Sequence, residues 1–551
     1  MIWLRQKGRF LWLTLCVGLF LLLAGYQLGL PGLHYDEAKE AGVNAMELLT
    51  GAPVTAFRGA SLQIGSTALP LMVQDYIGAL NVYLSLPFLA ITGIGVPNLR
   101  FLSLTLAVLA LLFLERAVSE WSQLHASRLT PLAPCPTPIS LASLITLTLL
   151  VASPSFVFWN RQGIFVTNAT LPAVYCVIWL GLRWLRTGED RSLIGATFAA
   201  GLALYAKLLS IWLILPFVLC LGIGWLWRRS SPAPRLRISV ILAALLAGVI
   251  PLLPFVIFNG QTGGTFRTIG ANLGQSYYGV NNADLLANLP MRLDQLITSL
   301  EGGQFWYLGA LHGNGWAPWL WAAAVIAGLL PRSRALVGPP LLLLALAVLL
   351  SLFTVSDLFI THYALIHPLA VAVAGIALVS LFPADSMARR FTQARTAILG
   401  AAIILWFALD LSATVAYHRD LARSGGLSDH ADTTYHLAYH LRYNGLGAPI
   451  ALDWGVDAPV RYLSEGTVQP IEIFGYVSVA APDDDFLQRL DPFLANPNNV
   501  YLLRAPGQAV FEGRREIFLA QVEALGKEAI LERTFTQRDG APLFELWRVA
   551  P

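Results

Sequence analysis

Long uncharged apolar runs constrain this chain more than any other feature. Between Ile139 and Leu182 the single charged residue is Arg161, and between Ser192 and Trp227 it is Lys207. Between Leu336 and Phe382 there is one acid, Asp357, with His362 five residues later. A helix crosses a bilayer with about 20 apolar residues. Each run is therefore too long for one crossing and fits two with a tight reversal. Crossings can be laid at 10–30, 97–115, 139–160, 166–183, 192–206, 209–227, 237–258, 317–330, 336–355, 363–382 and 397–417, about eleven in all. Segment 10–30 follows Arg5, Lys7 and Arg9 and lacks a small-residue cleavage site, so it is read as a retained crossing. Charged residues make up 13% of the chain, against about 25% in soluble domains. The expected class is a polytopic α-helical membrane protein.

Arginines orient it. With the N-terminus cytoplasmic, the inner connections carry Arg128; Arg183, Arg186 and Arg191; Arg228, Arg229, Arg235 and Arg237; Arg332 and Arg334; and Arg389, Arg390 and Arg395. That is the positive-inside pattern, and it suits a plasma or bacterial inner membrane. A lone cation at the bilayer centre costs at least ~2.5–3.5 kcal/mol, which a place at a reversal avoids. Arg161, Lys207 and the Asp357–His362–Tyr363 segment then reach the outer face, where the adjacent acids Asp36 and Glu37 also lie. Each has a plainer use: a snorkelling anchor for the cations, a helix N-terminus for the Asp-Glu pair, turn chemistry for Asp357. Convergence of four distant segments on one face favours a site. The net charge is +3 without a basic cluster, which excludes a nucleic-acid partner. Cys16, Cys135, Cys176 and Cys220 have no metal-type spacing.

Two outer segments stand out. Residues 31–96 contain "DEAKEAGVNAMELLTG", read as a short helix ending at Gly51, and "VQDYIGALNVYLSLPFLAITGIG", read as a juxtamembrane or re-entrant helix starting beside Asp75. Residues 259–316 form a polar loop centred on "GQSYYGVNNADLL", with Tyr277 a candidate for substrate contact. "NAT" at Asn168 matches a glycosylation triplet but abuts a crossing. Residues 1–417 form the membrane unit, and 418–551 read as an extracytoplasmic α/β domain. Its strands are expected at "APIALDWG", "NVYLLRA", "EAILERTFTQ" and "PLFELWRVA". No phosphate loop, metal signature or nucleophile elbow occurs in it, so a lid or recognition module is expected.

Asp36-Glu37 after one crossing resembles the acidic motif of GT-C glycosyltransferases, in the branch of protein O-mannosyltransferases and lipid A aminoarabinose transferases. The resemblance runs through "YIGALNVYLSLPFLAITGIGVPNLRFLSL", with its Leu99-Arg100, and through "SFVFWNRQGIFVTNATLP", "GLALYAKLLSI" and "THYALIHPLAVAVAGIAL". Relatives carry a charged residue or His followed by Pro where this chain has Gln74-Asp75-Tyr76, and a Lys there is absent. Lys39 stands where some relatives have Arg. The resemblance implies transfer of a sugar from a polyprenyl-phosphate donor to a lipid, glycan or protein acceptor in the cell envelope. In that reading Asp36 is the general base and Glu37 orients the acceptor or loop, with inversion at the anomeric carbon. Arg161 and Lys207 hold the donor phosphate. Asp75, Tyr277, Asp357, His362 and Tyr363 are expected to bind substrate. No cofactor is required, and a divalent ion at His362 and the outer acids stays open. The rival class is a transporter or flippase for a lipid-linked sugar, which favours an inverted repeat and midplane charges.

Overall fold

The computed structural model describes residues 2–129, 139–163, 167–227, 236–276, 278–331, 333–382 and 389–550. Among them, four helices are long and apolar enough to cross a membrane: Val96–His125, Leu208–Leu226, Ile238–Thr262 and Gln393–Ser424. Leu141–Ala152 and Pro154–Gln162 make a fifth if counted as one broken span, bent by 67°. Shorter apolar helices, among them Phe10–Gly25, Arg334–Leu350 and His367–Ser380, complete the bundle. Lipid tails are as apolar as leucine, so helices in a membrane associate through close packing rather than burial from water. Small residues accordingly sit at the contacts, as where Gly375 lies against Thr146 and Gly328 against Ala377. Phe20, Leu150, Trp159, Leu171, Tyr175 and Val373 share the bundle core.

The long runs break where their lone charges stand. Helix Asp190–Ala206 ends at Lys207, whose φ of −159° and ψ of 122° are extended, before Ile211–Trp227 begins. Asp357 and His362 lie in the non-α-helical stretch between Arg334–Leu350 and His367–Ser380. Arg161 ends the short helix Pro154–Gln162. The connections bearing Arg228, Arg229, Arg235, Arg332 and Cys135 lie outside the described residues.

The first outer segment departs from the two-helix expectation. Helix begins only at Leu80; Met72–Gln74 pairs antiparallel with Ile77–Gly78, and Ser61–Ile64 with Thr67–Pro70. Residues 72–78 are apolar enough to read as helix, but their backbone is spent on this ribbon. Tyr205 fixes its end, accepting from the Ala79 amide and donating to the Leu71 carbonyl.

Residues 450–550 carry a five-stranded sheet in the order Ile471–Glu472, Ile450–Ala451, Val500–Arg504, Pro542–Ala550, Glu528–Thr536. The first three run parallel, and Pro542–Ala550 runs antiparallel to both its neighbours, with Leu502 opposite Leu546. One face of this sheet, with the neighbouring helices, shares a single apolar core with the first outer segment. Leu33, Tyr35, Met46, Val82 and Leu99 pack with Leu437, Val460, Tyr462, Leu502 and Phe544.

Candidate active site

The sequence after the first helix folds into a helical turn, Tyr35–Glu37, that widens to a π-helical stretch at Ala38–Gly42 and continues as Val43–Thr50. Such π segments are rare and cluster at functional sites. Helical geometry decides what Asp36 and Glu37 can do together. Neighbours on a helix point about 100° apart, whereas residues four apart share a face. Glu37 turns inward to a fully buried ion pair with Arg100, at 2.7 and 2.9 Å. Arg100 also donates to the carbonyls of Leu28, Pro31 and Gly32. Glu37 thus anchors the loop. Asp36 is half-buried, and its carboxylate is engaged by no side chain among the described residues.

Asp36 shares its face with Glu40, which sequence reasoning passed over despite the four-residue spacing. Glu40 is buried, accepts from Asn168 Nδ2 at 2.8 Å and lies 3.5 Å from Lys207 Nζ. Burial pushes its carboxyl up to about 7; Lys207 opposes the rise and the negative charge of Asp36 adds to it. Asn168 is itself buried and accepts from Thr170, so the "NAT" triplet is a structural element rather than an exposed glycan acceptor. Lys207 is held in place by its own break, since the Leu208 amide donates to the Tyr76 carbonyl at 3.1 Å. Tyr76 lies within reach of the charges of Asp36, Glu40 and Asp75, and burial raises its hydroxyl most.

The other expected residues arrange themselves around this centre. Asp75 is bound bidentately by Arg58 at 2.6 and 2.7 Å and accepts from Thr268 at 2.6 Å, tying the ribbon to helix Gly264–Ala271. His362 is buried with Nδ1 unpartnered. Burial, with the positive charges of Lys207 and Arg292, holds it well below the usual histidine range. Tyr363 is buried on Ser351 at 3.1 Å under the Arg292 guanidinium, and Asp357 accepts from the Leu358 amide. Tyr277 lies outside the described residues. Arg161 is not brought to Lys207. It is fully buried, its Nη2 donating to the carbonyls of Tyr26, Gln27 and Leu30, so it caps the end of the first helix. Arg58 and Arg292 had no signal in sequence beyond being isolated cations in outer segments.

The C-terminal sheet reaches the same place. Lys39 donates to the Tyr35 hydroxyl at 3.2 Å, Tyr35 meets Tyr476 at 3.4 Å, and Tyr476 donates to Glu472 at 3.0 Å. Burial, with Asp457 nearby, raises Glu472 to about 7. Among the described residues no group of three His, Cys, Asp or Glu side chains could hold a metal ion.

A bundle of apolar helices that shares an apolar core with a C-terminal sheet, and that places a half-buried carboxylate beside a buried acid–lysine pair, defines the class as an integral membrane protein. No family model and no curated protein matches the chain. Among solved structures it is similar to ArnT from Cupriavidus metallidurans in the apo state, with TM-score 0.58 and 12% identity over 97% of each chain. It is similar also to that protein bound to undecaprenyl phosphate, with TM-score 0.55 and 14% identity over 97% of this chain and 98% of that one. An archaeal oligosaccharyltransferase, AglB from Archaeoglobus fulgidus, matches at TM-score 0.48 and 12% identity over 91% and 70%. At such identities the likeness to ArnT is one of fold, that of the GT-C glycosyltransferases.

Proposed function

We propose that the protein is a membrane glycosyltransferase that moves a sugar from a polyprenyl-phosphate donor to an acceptor hydroxyl on the extracytoplasmic side. The observation that carries the reading is the buried Glu40–Lys207–Asn168 cluster beside the unengaged carboxylate of Asp36, assembled from three separate segments. The ArnT structure that holds undecaprenyl phosphate supports the donor class. The arginine-bearing connections support the sidedness. In this reading residues 418–551 form the extracytoplasmic module.

Asp36 takes the proton of the acceptor hydroxyl as its oxygen attacks the anomeric carbon. The bond from that carbon to the phosphate oxygen breaks, its electron pair leaves with the polyprenyl phosphate, and the configuration inverts. A phosphate leaving group needs charge rather than a proton, and Lys207 supplies it once the phosphate replaces Glu40 as its partner. Asp75 with Arg58, and His362, Tyr363 and Asp357 around Arg292, line the approach for substrate. The test is Asp36→Asn in purified protein given a polyprenyl-phosphate sugar. Loss of a positioned base costs about 10²–10⁴-fold in rate, so unchanged transfer rejects the assignment. A wild type that transfers nothing but moves a lipid-linked sugar across vesicles rejects the enzyme reading.

A further inference from the structure

A groove of about 600 Å³ runs between the first helix and the last long helix, Arg389–Ser424. It is lined by Leu22, Leu23, Tyr26, Val415, His418, Arg419 and Arg423, among others. The groove is apolar at one end and basic at the other. Along the last helix the exposed apolar side chains Ile398 and Val415 are about 26 Å apart at 1.5 Å per residue, close to the ~30 Å hydrocarbon thickness of a bilayer. Arg419 and Arg423 follow one and two turns further, at headgroup depth, 61% and 73% exposed.

The charges there do not cancel. Arg419 and Arg423 both lie 3.5 Å from one oxygen of Asp420, whose other oxygen is held by His312 at 2.6 Å. Behind them the buried Arg161 contacts carbonyls and His418, with no ion pair among the described residues. His418 is buried and edge-on to Tyr26. Its Nδ1 accepts from Arg161 at 3.4 Å, which leaves the ring proton on Nε2. That Nε2 has no hydrogen-bond partner among the described residues. His418 with its unpartnered nitrogen and two exposed arginines thus line one groove together with Leu22, Leu23 and Val415.

We propose that this groove binds an anionic phospholipid. Arg419, Arg423 and His418 Nε2–H hold the phosphate, and Leu22, Leu23 and Val415 carry an acyl chain. None of its lining residues belongs to the proposed active site, and the proposal does not depend on that reading.

The test is native mass spectrometry of the full-length protein in a neutral detergent, incubated with phosphatidylglycerol or with phosphatidylcholine. Wild type is expected to retain one phosphatidylglycerol in clear preference to phosphatidylcholine. Arg419→Gln/Arg423→Gln is expected to lower that retention by about five-fold for each arginine lost. Arg533→Gln/Arg548→Gln, which removes the same charge from the C-terminal sheet, is expected to leave it unchanged. Leu22→Trp, which fills the apolar floor without touching a charge, is expected to displace the lipid as well. No preference in wild type, or the same preference in Arg419→Gln/Arg423→Gln and in Leu22→Trp, overturns the proposal.

Discussion

Glu37 and Glu40 differ by three positions and meet different partners. Glu37 meets a bidentate guanidinium, while Glu40 meets an amide and a more distant ammonium. Glu40 and Glu472 are each held near 7, above their unfolded values, chiefly by burial. A raised carboxyl favours the protonated form in the folded state. The stability each contributes is fully present below about pH 4.5 and is lost as pH rises through about 7. The melting temperature of the purified protein is therefore expected to fall between pH 5 and pH 8, less in Glu40→Gln and least in Glu40→Gln/Glu472→Gln. Slopes equal to wild type in both variants count against these placements. Asp36 was legible in sequence as an acid just past a crossing, and Lys207 as a cation that an apolar run has to excuse. Glu40, Asn168 and Glu472 were not, because their meaning comes from burial and from a partner 128 residues away in the case of Glu40 and Asn168. Arg161 was ambiguous for the same reason: a lone arginine in an apolar run serves equally to hold phosphate or to satisfy the carbonyls at a helix end, and here it donates to three such carbonyls.

At the scale of elements, the apolar runs marked the helices and the lone charges marked their breaks, since both follow from the cost of polar groups in hydrocarbon. Strands Val500–Arg504 and Pro542–Ala550 fall within segments whose β-branched and aromatic content suggests them. The two hairpins at 61–78 gave no such signal, being two to four residues per strand, and the outer strand Ser61–Ile64 is mostly exposed. The turn before the candidate site depends on a close backbone approach. A side chain on Gly32 would meet the Ala431 carbonyl, and the Gly32 amide donates to the His430 carbonyl at 2.6 Å. Gly51, with φ of 74°, ends its helix in open space. Gly32→Ala is expected to cost about 1–3 kcal/mol through overpacking, and Gly51→Ala about 1 kcal/mol through its left-handed backbone alone. Thermal melts distinguish them. Only Gly32→Ala is expected to loosen the seam with the C-terminal sheet, read as faster proteolysis between residues 425 and 432.

For the whole molecule, the question is whether residues after 424 act as a detachable lid or as part of the body that would carry the proposed transfer. A lid needs a separable interface, and here the interface is a core. Leu33, Tyr35, Met46 and Leu99 bury their side chains against Leu437, Val460, Tyr462 and Phe544. Tyr435 donates to the Gly29 carbonyl at 2.8 Å, and Arg461 lies 3.6 Å from Glu47. Removing one side exposes those apolar faces, takes Arg461 away from the Glu47 carboxylate and leaves the Gly29 carbonyl without the Tyr435 hydroxyl. A fully buried side chain of this size contributes roughly 1.5–3 kcal/mol, so losing the four named on one side costs about 6–12 kcal/mol, comparable to the 5–15 kcal/mol that holds an average domain together. Truncation after Ser424 is therefore expected to unfold the Tyr35–Thr50 helix and abolish transfer, rather than raise KM at unchanged kcat. Fragments 1–424 and 425–551 expressed together are expected to co-purify and to recover activity. A soluble, monodisperse 1–424 fragment with wild-type kcat places the catalytic body within the bundle alone and returns the C-terminal sheet to the part of a lid.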